Sequence, residues 1–374
     1  MIDSPRLRKT GVALLASRLC ILGDDPCGGS EVVLWEDARI LEGAGIPVRV
    51  YGCAAHNGAP VNVIRFNSRT AQLNTIEYVR ALLRHEPEAL ILAYNEPAVA
   101  GCAPDRAIVR FDWNTPLPRY WNWPLWLPRF QRARYVFPSE SERMVFLEQH
   151  ARIHSRQTAV ISNAVDLELF RPDEHLRPRA SKSPLRVGFA GQWIARKGIQ
   201  ELLEAWHALK CVLPECELHL AGGPALWKNV CPLNGAEEIA RRVEQMERRP
   251  LVHCAGALPR SAMPGFWGAV DVAVVPSLYE PFGLVALEAL ACGIPVIASA
   301  VGGLKEIVLD GQCGLLVPPG DAPALTRALR LLLTDYSLRL RLGVGARLRA
   351  QEFSLQRRSN ELLALLEEPA VKAA

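Results

Sequence analysis

Asp271-Val272-Ala273-Val274-Val275-Pro276 followed by Ser277-Leu278-Tyr279 and then Glu280-Pro281-Phe282-Gly283-Leu284-Val285-Ala286-Leu287-Glu288 is the stretch that decides the fold. An apolar β-branched run, a short polar loop and an apolar helical run that ends at Cys292-Gly293 read as a buried strand, its loop and the helix after it. Open α/β sheets hold their ligands at this junction. Gly283 lets a ligand approach the backbone at the helix start, where unpaired N–H groups and the positive end of the helix dipole favour a phosphate. Glu280 lies before that point, and Glu288 lies about 7.5 Å further along the helix at ~1.5 Å per residue. Carboxylates repel phosphate but accept hydrogen bonds from hydroxyls, so the implied ligand has sugars on both sides of a diphosphate. A nucleotide-sugar fits that description.

Two glutamates eight positions apart are common, and the plain alternative is a solvated loop charge and a surface helix residue. The surroundings favour the ligand. Leu284, Val285, Leu287, Ala289 and Leu290 enclose Glu288 in apolar residues, and a buried carboxylate needs a polar partner. A ligand hydroxyl is the simplest such partner.

At 374 residues the chain exceeds one ordinary core and suits two α/β domains. Hydrophobic residues at 49% against 22% charged indicate a folded chain with a sizeable core. A net charge of +4 implies no bulk attraction to nucleic acid. No apolar run reaches eighteen residues, and the start, with Arg6, Arg8 and Lys9, lacks the apolar core of a signal peptide, so a cytoplasmic location is expected. The ten cysteines are scattered, without zinc-knuckle spacing at Cys211 and Cys216, and reduced structural thiols are expected.

Strands and helices alternate. Strand 11–16 leads through Gly28-Gly29-Ser30 to a helix over 31–41, then to a strand at Val48-Arg49-Val50-Tyr51. Helix 74–84, strands 89–93 and 107–111, helix 140–149 and strand 158–161 complete a first domain over 1–170. The proline-rich, charged stretch 171–184 reads as a linker. A second series over 185–353 starts with strand 185–190 and helix 198–209. It continues with strand 217–221, helix 237–247, strands 251–254 and 271–275, a helix capped by Asp321 and Pro323, and a helix over 338–349. The pattern predicts two doubly wound, Rossmann-like α/β halves.

With these motifs in place, the chain resembles the retaining GT-B glycosyltransferases of family 4. The resemblance rests on Pro276-Ser277-Leu278-Tyr279-Glu280-Pro281-Phe282-Gly283, on Glu288-Ala289-Leu290-Ala291-Cys292-Gly293-Ile294-Pro295-Val296-Ile297-Ala298, on Gly302-Gly303 with Glu306-Ile307-Val308, and on 311–317. Gly191 with Lys197-Gly198, Asn163-Ala164-Val165-Asp166 with Phe170-Arg171-Pro172, and Gly28-Gly29-Ser30-Glu31 add to it. The resemblance implies a GT-B architecture with the ligand in a central cleft and a final helix, 354–368, packing back on the first domain. It also implies hexose transfer from a UDP- or GDP-linked sugar to a glycan, a lipid-linked sugar or a small glycoside, without metal or other cofactor.

Cleaving the anomeric bond leaves charge on a diphosphate, which cations and helix N-termini stabilise. The turn 191–198 follows a strand and opens a helix, so Lys197 and Arg196 can point at the cleft as the expected catalytic cations; the resemblance, with its place before the phosphate-binding helix, implies that Glu280 is the partner of the donor sugar. Gly28, Gly29, Gly191, Gln192, Pro281, Phe282, Gly283, Leu284 and Glu288 are the expected donor-binding residues. Members of the family it resembles usually carry an arginine where this chain has Gln192; either Arg196 supplies that charge or the site is weaker than theirs. No aspartate pair forms a metal-holding motif; Asp24-Asp25 reads as a solvated loop.

Relatives also place a histidine after a first-domain strand, where this chain has Phe111 or Asp112. Asp112 is the candidate to position or deprotonate an acceptor hydroxyl. Trp113, Tyr120, Trp121, Trp123 and Trp126 follow, interleaved with prolines and flanked by Arg110, Arg119, Arg129, Arg132 and Arg134. Core packing is the ordinary fate of tryptophan, but rings beside cations also suit sugars and membrane interfaces. Trp113, Arg119, Trp121 and Trp123 are therefore the candidate acceptor contacts, with a peripheral membrane surface as a second partner. Two other functions remain open: a catalytically weakened GT-B module that binds a nucleotide-sugar or a partner enzyme, motivated by Gln192 and the absent histidine, and a sugar-nucleotide epimerase, against which the Glu280 to Glu288 motif argues.

Overall fold

The computed structural model describes residues 5–17, 28–52, 62–63, 71–112, 128–172, 184–224, 236–247 and 251–368. It divides into two compact units, one formed by Met1–Ser162 with Gln356–Ala374 and the other by Asn163–Leu355.

The first unit holds a sheet of β1 (Val12–Leu15), β2 (Val48–Gly52), β3 (Asn62–Val63), β4 (Leu90–Tyr94), β5 (Ala107–Arg110), β6 (Arg134–Phe137) and β7 (Thr158–Val160). All pairings are parallel and the spatial order is β3-β2-β1-β4-β5-β6-β7. The strands β1, β5 and β6 are buried along their whole length, as the two covered faces of a parallel sheet require. Strand β6 was not foreseen, because Arg134 and Tyr135 break the apolar run. Arg134 is nonetheless buried, its guanidinium donating to the Leu365 carbonyl.

The helix Leu355–Glu367 belongs to this first unit although it ends the described chain. Arg358, 1% exposed, fastens it there, donating from Nε and Nη2 to Asp37 Oδ1 at 2.8 and 2.6 Å. The Tyr94 hydroxyl donates to the other oxygen of Asp37 at 2.7 Å, so the carboxylate is satisfied on both sides.

The second unit holds β8 (Arg186–Gln192), β9 (Glu217–Gly223), β10 (Val252–Gly256), β11 (Val272–Val275), β12 (Val296–Ser299) and β13 (Gly314–Val317), all parallel, in the order β10-β9-β8-β11-β12-β13. The chain reverses its winding direction between β8 and β11, which makes their carboxyl ends the ligand-binding edge of this unit. Asp321 and Asp335 cap helices Ala322–Thr334 and Tyr336–Gln351, accepting from Ala324 N at 2.7 Å and Leu338 N at 2.8 Å.

Two boundaries differ from those read in the sequence. Residues 163–170, expected in the first domain, lie in the second unit: Val165 N donates to the Phe353 carbonyl at 2.9 Å, and Arg347 donates to the Phe170 and Leu167 carbonyls. Of the expected linker 171–184, residues 173–183 lie outside the described residues. Strand β8 runs on through Gly191 and Gln192, because they pair with Gly222 and Gly223 of β9. Among the described residues no helix is long and apolar enough to cross a membrane.

Candidate functional site

Two loops meet at the carboxyl ends of β8 and β11. The first is a 3-10 turn, Ala195–Lys197, closed by Gly198 in the left-handed conformation at φ 68°. A side chain at Gly198 would collide with the Pro276 carbonyl, so this glycine allows the first loop to lie against the second. Leu278 N then donates to the Arg196 carbonyl at 2.9 Å, which joins the two loops through their backbones.

That junction places Lys197 beside Glu280. Lys197 Nζ donates to Glu280 Oε2 at 2.6 Å, and the Ser277 hydroxyl donates to the same oxygen at 3.0 Å. Glu280 is 9% exposed. Burial pushes its carboxyl up, but the charges of Lys197 and Arg196 and the bonds from Lys197 and Ser277 outweigh that, holding it below the usual carboxylate range. Lysine carries three donors; among the described residues one is given to Glu280, so two can serve an anionic ligand.

A third loop grips this one from behind. Gly303 N donates to the Glu280 carbonyl at 3.0 Å. A Cβ on Gly302 would overlap that carbonyl, and one on Gly303 would sit 2.5 Å from Phe282 Cα and 2.6 Å from the Pro281 oxygen. Gly302 and Gly303 are small because the backbone bearing Glu280, Pro281 and Phe282 lies directly on them. Phe282 is buried and meets Phe353 edge-on at 5.9 Å.

Gly283, at φ 113°, starts the helix Leu284–Ala291 with no side-chain cap. The first amides of this helix, beginning at Leu284, therefore have no intrahelical acceptor, the arrangement that suits a phosphate. Glu288 lies one turn in and is 7% exposed. Beside it, Arg260 Nη1 stands 4.0 Å away, reached from the turn after β10. Nothing local in the sequence connects these two residues.

Gly191, at φ 148°, and Gln192 close β8. The Gln192 side-chain nitrogen and the Trp193 indole nitrogen are buried donors without a hydrogen-bond partner among the described residues. Both lie at the same sheet edge as Lys197. Trp193 had no signal in the sequence beyond its position.

The remaining expected residues belong to the first unit. Gly28 caps the helix Gly29–Gly43 in an extended conformation, and its carbonyl accepts from Glu31 N at 3.1 Å. Asp112 follows β5. Its Oδ1 accepts from Arg110 Nε at 2.7 Å and its backbone N–H donates to Asn95 Oδ1 at 3.0 Å. Burial pushes the Asp112 carboxyl above the usual range despite Arg110 and Arg358. Its Oδ2 and the Asn95 side-chain nitrogen are buried without partners among the described residues. Asn95 follows β4 with φ 54°, a left-handed conformation uncommon outside glycine and concentrated at functional sites. Sequence reading missed Asn95. Trp113, Arg119, Trp121 and Trp123 lie outside the described residues.

Comparison with known proteins finds glycosyltransferases. Residues 171–349 match the family model described as Glycosyl transferases group 1. A D-inositol 3-phosphate glycosyltransferase of Kribbella flavida is 28% identical over 97% of this chain and 96% of its own length. An MMP alpha-(1->4)-mannosyltransferase of Mycolicibacterium hassiacum is 34% identical over 59% of this chain and 51% of its own length, so the chain spans about half of that relative. Among solved structures, the sucrose-phosphate synthase of Thermosynechococcus elongatus aligns with TM-score 0.77 and 24% identity over 95% of this chain and 98% of that one. The two parallel sheets are those of the GT-B fold.

Proposed function

We propose that this enzyme, whose residues 171–349 match the model of glycosyl transferases group 1, transfers a hexose from a UDP- or GDP-linked donor to a hydroxylated acceptor with retention of anomeric configuration. The observation that carries this reading is the Lys197–Glu280 pair at the switch point of the second sheet, on the loop that leads into the uncapped helix Leu284–Ala291.

The donor diphosphate binds at the amides of that helix and takes the free donors of Lys197. As the anomeric bond breaks, charge grows on the diphosphate, and a fixed ammonium beside fixed amides stabilises it without reorganisation. Arg196, already felt electrostatically by Glu280, adds positive charge where relatives have an arginine and this chain has Gln192. Glu280 accepts from a hydroxyl of the transferred hexose. Glu288, with Arg260 4.0 Å away, accepts from the ribose hydroxyls. Neither step uses a metal.

Acceptor recognition falls to the first unit. Asp112 Oδ2 and the Asn95 amide, an acceptor and a donor without partners among the described residues, suit a sugar or cyclitol hydroxyl. The name of the Kribbella flavida relative makes inositol phosphate a first acceptor to try, beside glycans and lipid-linked sugars. The segment from Trp113 through Trp123 supplies further acceptor contacts, and a membrane surface is its second partner. The test is release of nucleoside diphosphate across a panel of UDP- and GDP-sugars with and without acceptor, with NMR assignment of the new anomeric bond. Acceptor-dependent release with a retained configuration is expected. Tight binding of a donor with no release under any acceptor would instead mark a binding module.

A further inference from the structure

Far from the donor loops, β9 carries a polar ladder. Leu218 and Leu220 enter the hydrophobic core, so alternation turns Glu217 and His219 to the opposite face. Strand β10 pairs with β9 in parallel, His253 opposite His219. Their rings lie 4.8 Å apart at 32°, and His219 Nε2 is 3.0 Å from Glu217 Oε2. The ligand atoms of Glu217, His219 and His253 all fall within 4.8 Å of one another.

We propose that Glu217, His219 and His253 bind one divalent transition-metal ion of the zinc class, which fastens the edge strand β10 to β9. Two imidazoles and one carboxylate, with water in the fourth position, are a common donor set for this ion. At metal–ligand distances of 2.0–2.1 Å a tetrahedral ion needs its donors about 3.4 Å apart, a closure that side-chain rotation supplies on a half-open face. Arg186 Nε donates to Glu217 Oε2 at 2.7 Å and orients the carboxylate as an outer partner. The competing account is that the Glu217–His219 bond and the paired rings satisfy this face without an ion.

The site is structural. His219 pairs with Gly188, four residues before the donor end of β8 at Gln192, roughly 13 Å away at ~3.3 Å per residue. A metal here leaves transfer chemistry alone and stabilises the second unit by binding only its folded state.

The test is titration of the metal-free full chain with zinc, followed by calorimetry and thermal denaturation, and with cobalt, followed by visible absorption. One ion per chain is expected, with a melting temperature that rises with zinc and returns with EDTA. His253→Gln and His219→Gln should each weaken binding at least tenfold and abolish the rise, while melting like the parent in EDTA. Should His219→Gln fail to fold, His253→Gln, on an exposed position of the edge strand, decides alone. No binding, binding unchanged in His253→Gln, or a thiolate-to-cobalt charge-transfer band that reveals cysteine ligands would overturn the proposal.

Discussion

Replacing Lys197 by methionine keeps the length of the side chain and removes its charge, which makes it the sharpest test of the donor site. The ion pair with Glu280 spans 2.6 Å, with 22% and 12% of the two side chains exposed. Breaking a fully buried pair costs roughly 3–5 kcal/mol, mostly because one charge is left uncompensated. Here Ser277 still donates to the carboxylate and Arg196 still acts on it, and the ammonium is partly solvated, so about 2 kcal/mol is expected. For a unit of this size that lowers the melting temperature by roughly 4–8 °C. Glu280→Gln removes the stranded charge, so the double variant should recover much of the loss, with a coupling energy of about 1–3 kcal/mol. Turnover should behave differently. Losing the cation on the diphosphate should cost about 2.7–4 kcal/mol of transition-state stabilisation, or roughly 10²–10³-fold in kcat by analogy with a lost oxyanion donor, and Glu280→Gln should not restore it. The assays are thermal denaturation and nucleoside-diphosphate release on all four proteins. Parental turnover in Lys197→Met, or strictly additive stabilities in the cycle, would refute the reasoning.

Gly302→Ala should weaken donor binding and turnover through displacement of Glu280, since its Cβ would strike the Glu280 carbonyl at a backbone φ of 44°; overpacking of this kind costs about 1–3 kcal/mol, and unchanged kinetics would count against the loop's role. Asp112→Asn should abolish transfer while leaving nucleotide affinity intact, as measured by calorimetry and by acceptor-dependent release; loss of donor affinity as well would remove Asp112 from the acceptor side. Arg358→Met strands the buried Asp37, at about 3–5 kcal/mol, and should make the helix Leu355–Glu367 the first segment cut in limited proteolysis; resistance equal to the parent would show that apolar packing alone holds the helix. Because Glu280 sits below its ordinary value of 4.5 when folded, it contributes stability above that pH and loses it as pH falls through the lower folded value. The stability difference between the parent and Glu280→Gln should therefore shrink in acid, and a constant difference from pH 7 to pH 3 would show that Glu280 is not ionised in the folded state.

Much of this protein was legible from its sequence, for local reasons. The run 271–276 is apolar and β-branched because a parallel strand is buried on both faces; Gly283 and Gly198 mark left-handed backbone that other residues resist; and Asp321 announces its helix by a cap that needs only the next three residues. Those short-range rules set the alternation of strands and helices and so the doubly wound class. They also singled out Lys197 and Glu280, on loops that lead into helices, and Glu288, one turn into its helix. Only the tertiary structure decided which of these meet. Lys197 and Glu280 are 83 positions apart and join because β8 and β11 are neighbours at the switch point. Arg260 reaches Glu288, Gly302 lies under Glu280, and His253 stands beside His219 through strand order and register, which depend on how whole faces pack. The assignment of 163–170 to the second unit has the same cause: Val165 finds its backbone partner at Phe353, and no local pattern records a partner that far along the chain.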